Sequence, residues 1–508
     1  MQKLYMQCLE IGNIEKAIRV VYLHEGAKTA GKDGISKTSN ISKERIIKEV
    51  KLRLRRYKPV QSRKVQIPKE NGEFRELTII NLYDRIAQQA VYQIISPLLE
   101  EQMSKHSYGF RKGIGAKIPV SKLATTLNKS KDIYTIELDF KKCFDNIPLE
   151  KAIGCLKEMG IKNFQLLRTI KHLMWTSREY SGVGLSQGTI LGPLLANCYL
   201  TQLDRFMEKT FILNTSYKSY WTNYNRHREN WIEWNLELGK KIHCNYYRFA
   251  DDTFITCHNE AEQKYIAKLL NGFIDSELDI EINESKSHYR HNEIHFLGFK
   301  IIKGGHNTVW VLVDNLREYS TRLKQYKFKT YQECQEFMKW FRGVLNYFDI
   351  VNNLAKFLKA VADRLYYRSK HGVLKKSGTE YYYGNGRKRV NIDIWGMRKT
   401  TRTSFREYIF NSKWLKQREL LKYRESDKAI SGAFQYLWSL WTKQKGKDAI
   451  TKTELDPFNA QIHHVIPLSK DGSNELENLI LISPETHKEL HYGKSLDKRF
   501  EKYRKHLK

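Results

Sequence analysis

Seven cysteines in 508 residues give this chain no disulfide framework: Cys8, Cys143, Cys155, Cys198, Cys244, Cys257 and Cys334 are odd in number, scattered, and never spaced as Cys-x-x-Cys. That excludes a small stapled secreted domain and a cysteine-ligated zinc ribbon, and leaves reduced cytosolic thiols as the expectation. Only nine prolines are present, and 41% of the residues are apolar, so the composition is that of several packed cores and not of a disordered chain. No apolar run reaches the roughly 18 residues a spanning helix needs, so membrane insertion is not expected. The charged opening residues lack the apolar stretch of a secretory signal, and no internal repeat is found.

Acid is the other scarcity. Lys and Arg number 88 against 56 Asp and Glu, a net charge of +32, accompanied by 30 Tyr, 22 Phe and 10 Trp. Cations interleaved with aromatic rings suit a polyanion whose bases can stack, which makes nucleic acid the expected partner.

Along the chain, residues 41 to 58 are basic and helix-prone. The alternating stretch from Arg63 to Lys69 and the stretch from Phe74 to Leu77 flank Asn71-Gly72, the signature of a hairpin. From Asn81, Leu82, Ile86, Ala90, Ile94 and Leu98 recur at helical spacing. Residues 133 to 138 alternate as a strand ending at Asp139, with Pro148 placed to open the next helix. A glycine-bearing loop from Gly184 to Thr189 leads into a helix expected over 191 to 208, and a basic, tryptophan-rich insertion covers 217 to 241. After Gly298 a helical stripe runs from Phe337 to Leu365. Residues 371 to 400, rich in Gly, Lys and Tyr, read as a linker or nucleic-acid strap.

Two adjacent acids stand in one telling place. Tyr247-Arg248-Phe249-Ala250-Asp251-Asp252, followed by Thr253 to Thr256, reads as a hairpin with two adjacent carboxylates at its tip. Like charges held together at a turn resist ionisation, so divalent cations between them make the arrangement favourable. Taken alone, the hexapeptide is better read as a solvated turn; Asp139, at another strand end, changes that balance. Strand extension needs an activated 3′-hydroxyl and a neutralised pyrophosphate, which two magnesium ions held by carboxylates from separate strands supply.

The ordered set of motifs resembles the reverse transcriptases of group II introns, of the maturase type. It is carried by Lys32-Asp33-Gly34, Ile67-Pro68-Lys69 with Arg75, Asp84-Arg85-Ile86 with Gln88-Gln89, Ser107-Tyr108-Gly109-Phe110-Arg111, and Leu138-Asp139-Phe140 through Phe144-Asp145-Asn146-Ile147. Gln187-Gly188, Pro193 to Asn197, the 247 to 252 box, Lys286 and Phe296-Leu297-Gly298-Phe299 complete it. The resemblance implies that Asp139, Asp251 and the Phe140 carbonyl hold two Mg2+ ions, with Asp252 completing the acidic cluster. It further implies that Lys69 and Arg75 grip the dNTP triphosphate, Phe144 excludes a 2′-hydroxyl, Gln187 contacts the nucleotide, and Lys286 protonates the departing pyrophosphate. Phe296, Leu297 and Gly298 become the primer grip. Gly192 departs from the serine usual before Pro193, which is expected to loosen that loop.

Near the C-terminus, His463-His464 precedes Gly472, Asn474 and Asn478, and then His487-x-x-x-His491. Histidines four apart share a helical face and can chelate a metal, with His463 as a third ligand. This pattern resembles the HNH nuclease motif. The resemblance implies His464 as general base, Asn478 as the residue orienting its ring, and His463, His487 and His491 as ligands of one divalent metal, Zn2+ or Mg2+. The Cys-x-x-Cys pairs usual in intron endonucleases are absent around Trp441 to Thr451, so stability there must come from packing.

The resulting expectation is an α+β multidomain chain: a right-hand polymerase with fingers, an antiparallel palm sheet with helices, a helical thumb or maturase domain, and a small ββα-metal HNH domain. Expected boundaries are 1–110 for the N-terminal extension and fingers, 111–305 for the palm with the remaining fingers, 306–370 for the helical thumb or maturase domain, 371–430 for a basic linker or DNA-binding region and 431–508 for the HNH endonuclease domain. Expected partners are intron RNA, an RNA template, a DNA target or primer, and dNTPs, in the bacterial cytoplasm or alternatively an organelle. A splicing-only maturase and an antiphage reverse transcriptase with a nuclease effector are the competing readings; the sequence leaves the oligomeric state open.

Overall fold

The computed structural model describes residues 2–56, 61–68, 74–175, 183–212, 242, 244–304, 308–377, 380–384, 390–392, 436–457, 460–467 and 472–492. Lys69, the Asn71-Gly72 turn and the tryptophan-rich insertion therefore lie outside the described residues.

The first unit is mainly helical. Helices α1 (Gln2–Leu9), α2 (Ile11–Leu23) and α3 (Lys43–Arg55) pack around α4 (Leu82–Glu100), whose Leu82, Ile86, Ala90 and Leu99 are all buried. Leu98, included in the sequence stripe, is instead exposed. Strands β1 (Arg63–Pro68) and β2 (Phe74–Ile79) pair antiparallel, as the alternating pattern predicts, and both are largely exposed.

Downstream lies the sheet that positions the acids. Helix α5 (Lys117–Lys129) leads to β3 (Tyr134–Leu138), then α6 (Cys143–Asn146), α7 (Leu149–Glu158), α8 (Phe164–Trp175) and α9 (Gly192–Met207). Strands β4 (Asn245–Phe249) and β5 (Asp252–Cys257) follow as a hairpin, and after α10 (Glu260–Glu277) comes β6 (His288–His291). The four-stranded order is β4-β5-β3-β6, antiparallel throughout. The β3 strand is central, which is why Thr135, Ile136 and Leu138 are all buried.

A second sheet, β7 (Glu293–Phe296), β8 (Phe299–Lys303) and β9 (Val309–Val313), packs with helices α11 (Leu316–Gln325), α12 (Tyr331–Tyr347) and α13 (Leu354–Lys370) in a shared core. Helix α12 starts with a side-chain cap: Thr330 accepts from the Glu333 amide, and Glu333 accepts from the amides of Lys327 and Lys329 in the preceding turn. Strand β9 pairs with β8 across residue 305, so the sheet spans the boundary drawn there from sequence.

Part of the stretch from residue 371 onward, expected to be a linker or nucleic-acid strap, is folded; residues 393–430 lie outside the described residues. Strands β10 (Lys375–Ser377), β11 (Glu380–Tyr383) and β12 (Val390–Ile392) form an antiparallel sheet. Leu374, Tyr381, Val390 and Ile392 join the core of the helical unit. Alternation of apolar and polar residues in so short a stretch is masked by its glycines and lysines; burial against α12 is what makes it fold.

The C-terminal unit comprises α14 (Leu437–Lys443), β13 (Gln461–His464), β14 (Leu479–Ile482) and α15 (Pro484–Tyr492). Packing replaces the missing cysteines. Leu437, Leu440, Trp441, Leu455, Ala460, Leu479 and Leu481 form one apolar cluster. The Gln444 amide bonds both the carbonyl and the amide of Leu481, each at 2.8 Å. Asp448 accepts from the amides of Ile450, Thr451 and Ser483. Burial alone would raise its carboxyl, but those three N–H groups hold it below the usual range.

All seven cysteines are buried and none is in a disulfide. Among the described residues, no helix is long and apolar enough to cross a membrane.

Candidate functional site

Strand register converges the three acids. Leu138 pairs with Thr253 and Phe249 with Asp252. Continuing the first register by one residue sets Asp139 opposite Asp252, with Ala250 and Asp251 as the two-residue turn between β4 and β5. Ala250 adopts φ 59°, a left-handed conformation that a residue with a Cβ takes only under constraint.

Asp139 is held from the β6 side. Its Oδ2 accepts from the Asn283 amide nitrogen at 2.9 Å, its backbone N–H donates to Ser287 Oγ at 3.3 Å, and its carbonyl accepts from the Asn283 N–H. The Lys141 N–H donates to the Glu281 carbonyl, so two bonds flank the Phe140–Ile282 pair. In an antiparallel ladder such a pair turns its own N–H and C=O away from each other. The Phe140 carbonyl therefore faces the hairpin. Asn283 and Ser287 were not singled out from sequence; their nearness to Lys286 was the available signal. Lys286 itself is exposed in that same turn.

The charges act as their proximity requires. The Asp252 carboxyl is pushed up to about 7, first by lost hydration in the cleft and then by Asp251, Asp139 and Glu137, although its outer edge remains open to solvent. Asp251 is also raised, mainly by burial, with Asp139 adding to it and Arg75 and Arg248 opposing. Arg75, on the exposed β2 strand, thus exerts its charge on the hairpin tip. Among the described residues no three acid, histidine or cysteine side chains close around a single point tightly enough to hold an ion unaided. That open donor set still fits magnesium, which takes one or two carboxylates and completes its shell with water and substrate phosphates.

Behind the acids lies a buried device not legible from the sequence. Arg248 is fully buried and donates from Nε and Nη2 to the two Asp204 oxygens, each at 2.7 Å. Its Nη1 reaches Asn197 Oδ1 at 3.0 Å and the Ala250 carbonyl at 2.7 Å, and Nη2 also reaches Ser107 Oγ at 2.8 Å. Asn197 Nδ2 donates to the Gly109 carbonyl. The turn that carries Asp251 is therefore fixed by a guanidinium from below.

Other expected residues fall around this centre. The Gln187 carbonyl accepts from the Thr78 N–H at 2.8 Å, and a Cβ on Gly188 would lie 2.4 Å from the Thr78 carbonyl, so this loop is seated on β2. Gly192 does not loosen the loop. The Thr189 hydroxyl stands 2.6 Å from where a Cβ would be, accepts the Gly192 N–H and donates to the Ser186 carbonyl. Phe144 is half-buried, its carbonyl bonded by the Leu185 N–H. Phe296 and Phe299 pair across a turn in which Leu297 and Gly298 both have positive φ. Tyr347 Oη donates to the Leu297 carbonyl and the Asp314 N–H to that of Gly298.

His106 supports the same hairpin through its Nδ1 contact with the Tyr246 carbonyl. Burial first, then Lys105 and Lys122, lower its pKa to about 4. The unfolded imidazole binds a proton near pH 6.5, so the unfolded state holds more protons between about 6.5 and 4. The neutral ring's contribution is thus complete above 6.5 and is lost as pH falls through 4. Wild type should lose about 2–3 kcal/mol more than His106→Asn across that window, measured by denaturant titration at each pH.

In the C-terminal unit, His463 and His487 bring their rings to 5.2 Å between centroids, edge to face. His491 lies one turn beyond His487 on α15; its side chain is outside the described residues. The expected pairing of Asn478 with His464 is corrected: Asn474 Oδ1 meets His464 Nε2 at 2.8 Å. Asn478 instead bonds the Ile466 N–H and the carbonyls of Ile466 and Ser473, closing the loop between the two strands.

An acidic hairpin on an antiparallel sheet, with a histidine-bearing ββα unit further along the chain, is the arrangement of a polymerase joined to a nuclease-type domain. Residues 67–301 match the family model of reverse transcriptase (RNA-dependent DNA polymerase), and residues 452–493 match that of HNH endonuclease. The chain thus carries a reverse transcriptase domain and a C-terminal HNH endonuclease domain. It is similar to protein YkfC of Escherichia coli K12, with 29% identity over 57% of this chain and 80% of that one. It is 27% identical to the group II intron-encoded protein LtrA of Lactococcus lactis, over 59% of this chain and 56% of LtrA. A 91 kDa protein in a cob intron of Schizosaccharomyces pombe is 33% identical over 29% of this chain and 18% of its own length.

Proposed function

We propose that this chain is the protein of a mobile group II intron: it copies RNA into DNA, assists splicing of its intron RNA, and nicks target DNA to make the primer. The union on one chain of the acidic hairpin with a ββα histidine unit carries this reading, and the similarity to LtrA supports it. In it, residues 1–110 serve as N-terminal extension and fingers, 111–305 as palm, 306–370 as thumb and 431–508 as the nicking domain.

Asp139, Asp251 and the Phe140 carbonyl would hold two magnesium ions, which when bound neutralise the triphosphate and favour ionisation of the primer 3′-hydroxyl. Asp252 adds negative charge beside them. Lys69 and Arg75 orient the triphosphate as charge-assisted donors. Phe144 closes the space beside the sugar, Gln187 borders the nucleotide, and Lys286 delivers a proton to pyrophosphate. Phe296, Leu297 and Gly298 hold the primer end, with Tyr347 and Asp314 stiffening their turn. At the HNH unit, His464 would take the proton of the attacking water, and His463, His487 and His491 are the residues that would hold one metal ion. Asn474 orients the His464 ring.

Primer extension on an RNA template with magnesium tests the first activity. Asp251→Asn should lower extension by at least about a thousandfold, because the charge removed is one the transition state needs. Equal extension by wild type and the variant would refute the polymerase assignment of that residue. Nicking of duplex DNA by wild type and its loss in His464→Ala tests the second.

A further inference from the structure

Phe110 is 48% exposed and held at φ 56°. Bulky L-residues avoid that region because the Cβ crowds the following carbonyl, so the surroundings must impose it. Both neighbours are pinned. The Gly109 carbonyl accepts from Asn197 at 2.7 Å, and its Cα lies so near Ala250 that no side chain fits. Arg111 Nη1 donates to the carbonyls of Ser104 and Ser107, and Nε and Nη2 donate to Glu100 Oε1. With both flanking residues fixed, the Phe110 ring joins neither apolar core and instead meets the Phe144 ring edge to face, at 5.9 Å between centroids and 87° between planes.

We propose that Phe110 is a positioning residue for sugar selection, a buttress that stops the Phe144 ring from receding when a ribonucleotide enters. This rests on the reading of Phe144 as the wall beside the sugar. A hydrophobic wall rejects one added hydroxyl weakly unless it cannot yield, since the ligand's extra atom is accommodated by a small rotation. The edge-on contact opposes that rotation, and the strained backbone at Phe110 marks where the fold tolerates cost to keep the ring in place. Anchorage through Asn197 and Gly109 also couples the buttress to the network that holds the acidic hairpin.

The test is the ratio of kcat/KM for dATP over ATP in primer extension by the full chain on an RNA template. A partly unfolded preparation lowers both values alike, so the ratio reports selection and not fold. Phe110→Ala should reduce the ratio roughly three- to tenfold, expressed mainly as a lower KM for ATP. Phe110→Tyr, which keeps the ring edge, should restore it. Phe144→Ala should reduce the ratio further, and adding Phe110→Ala to that variant should change nothing more. A ratio within about twofold of wild type in Phe110→Ala, beside a clear fall in Phe144→Ala, overturns the buttress and leaves the wall standing. A second, full-sized loss in the double variant also overturns it. An unchanged ratio in Phe144→Ala removes the wall itself.

Discussion

Arg248→Ala is expected to destabilise the four-stranded sheet by about 3–5 kcal/mol and to abolish primer extension. The guanidinium is fully buried and makes bonds to Asp204, Asn197, Ser107 and the Ala250 carbonyl. Removing it strands the fully buried Asp204 carboxylate, which retains only the Tyr246 hydroxyl among the contacts seen. Lysine cannot substitute, because one ammonium does not reproduce a planar fork directed at five acceptor atoms. Arg248→Lys should therefore be nearly as damaging. Replacing Arg248 by Met and Asp204 by Leu together should cost less than Arg248→Ala alone, since no charge is left unpaired. Amide hydrogen exchange of β3, β4 and β5 measures the local effect in a chain with several cores. Equal protection in wild type and Arg248→Ala would show that the network does not anchor the hairpin.

That network also marks where reading the sequence stops. Asp251-Asp252 stood out because local patterning makes a hairpin and two adjacent acids need a reason. The helix after Asn81 and the strand before Asp139 were legible for the same reason: periodicity and turn residues act over a few positions. Arg248 lies inside the same box, yet its partners Asp204, Asn197 and Ser107 are 44, 51 and 141 positions away. Nothing local says that a guanidinium will be buried, or that Asn197 will bond Arg248 and Gly109 at once. The two asparagines near His464 show the same limit at short range. Spacing placed Asn478 in the motif, but only the path of the loop decides that Asn474 reaches the ring. The β10 to β12 sheet was missed because its residues resemble a linker and fold by leaning on α12.

Gly109→Ala should reduce primer extension about a hundredfold without touching any candidate ligand. A Cβ at this position would stand 2.2 Å from the Ala250 nitrogen and 2.9 Å from both the Ala250 Cα and the Phe249 carbonyl carbon. All three are backbone atoms, so no side chain can swing aside; the turn must move. Ala250 already sits at φ 59° with its carbonyl held by Arg248, and the only freedom left is displacement of the tip that carries Asp251 and Asp252. A shift of about 1 Å in groups that position reacting atoms costs on the order of a hundredfold. Gly272→Ala, in the open middle of α10 with nothing within 4 Å of its added methyl, is the matched control. It should retain extension and gain up to about 1 kcal/mol of helix stability. The contrast tests one cause, because the substitutions are chemically identical and differ in what the new carbon meets. If Gly109→Ala extends as well as Gly272→Ala, the close approach of residues 109 and 250 does not set the geometry of the acids.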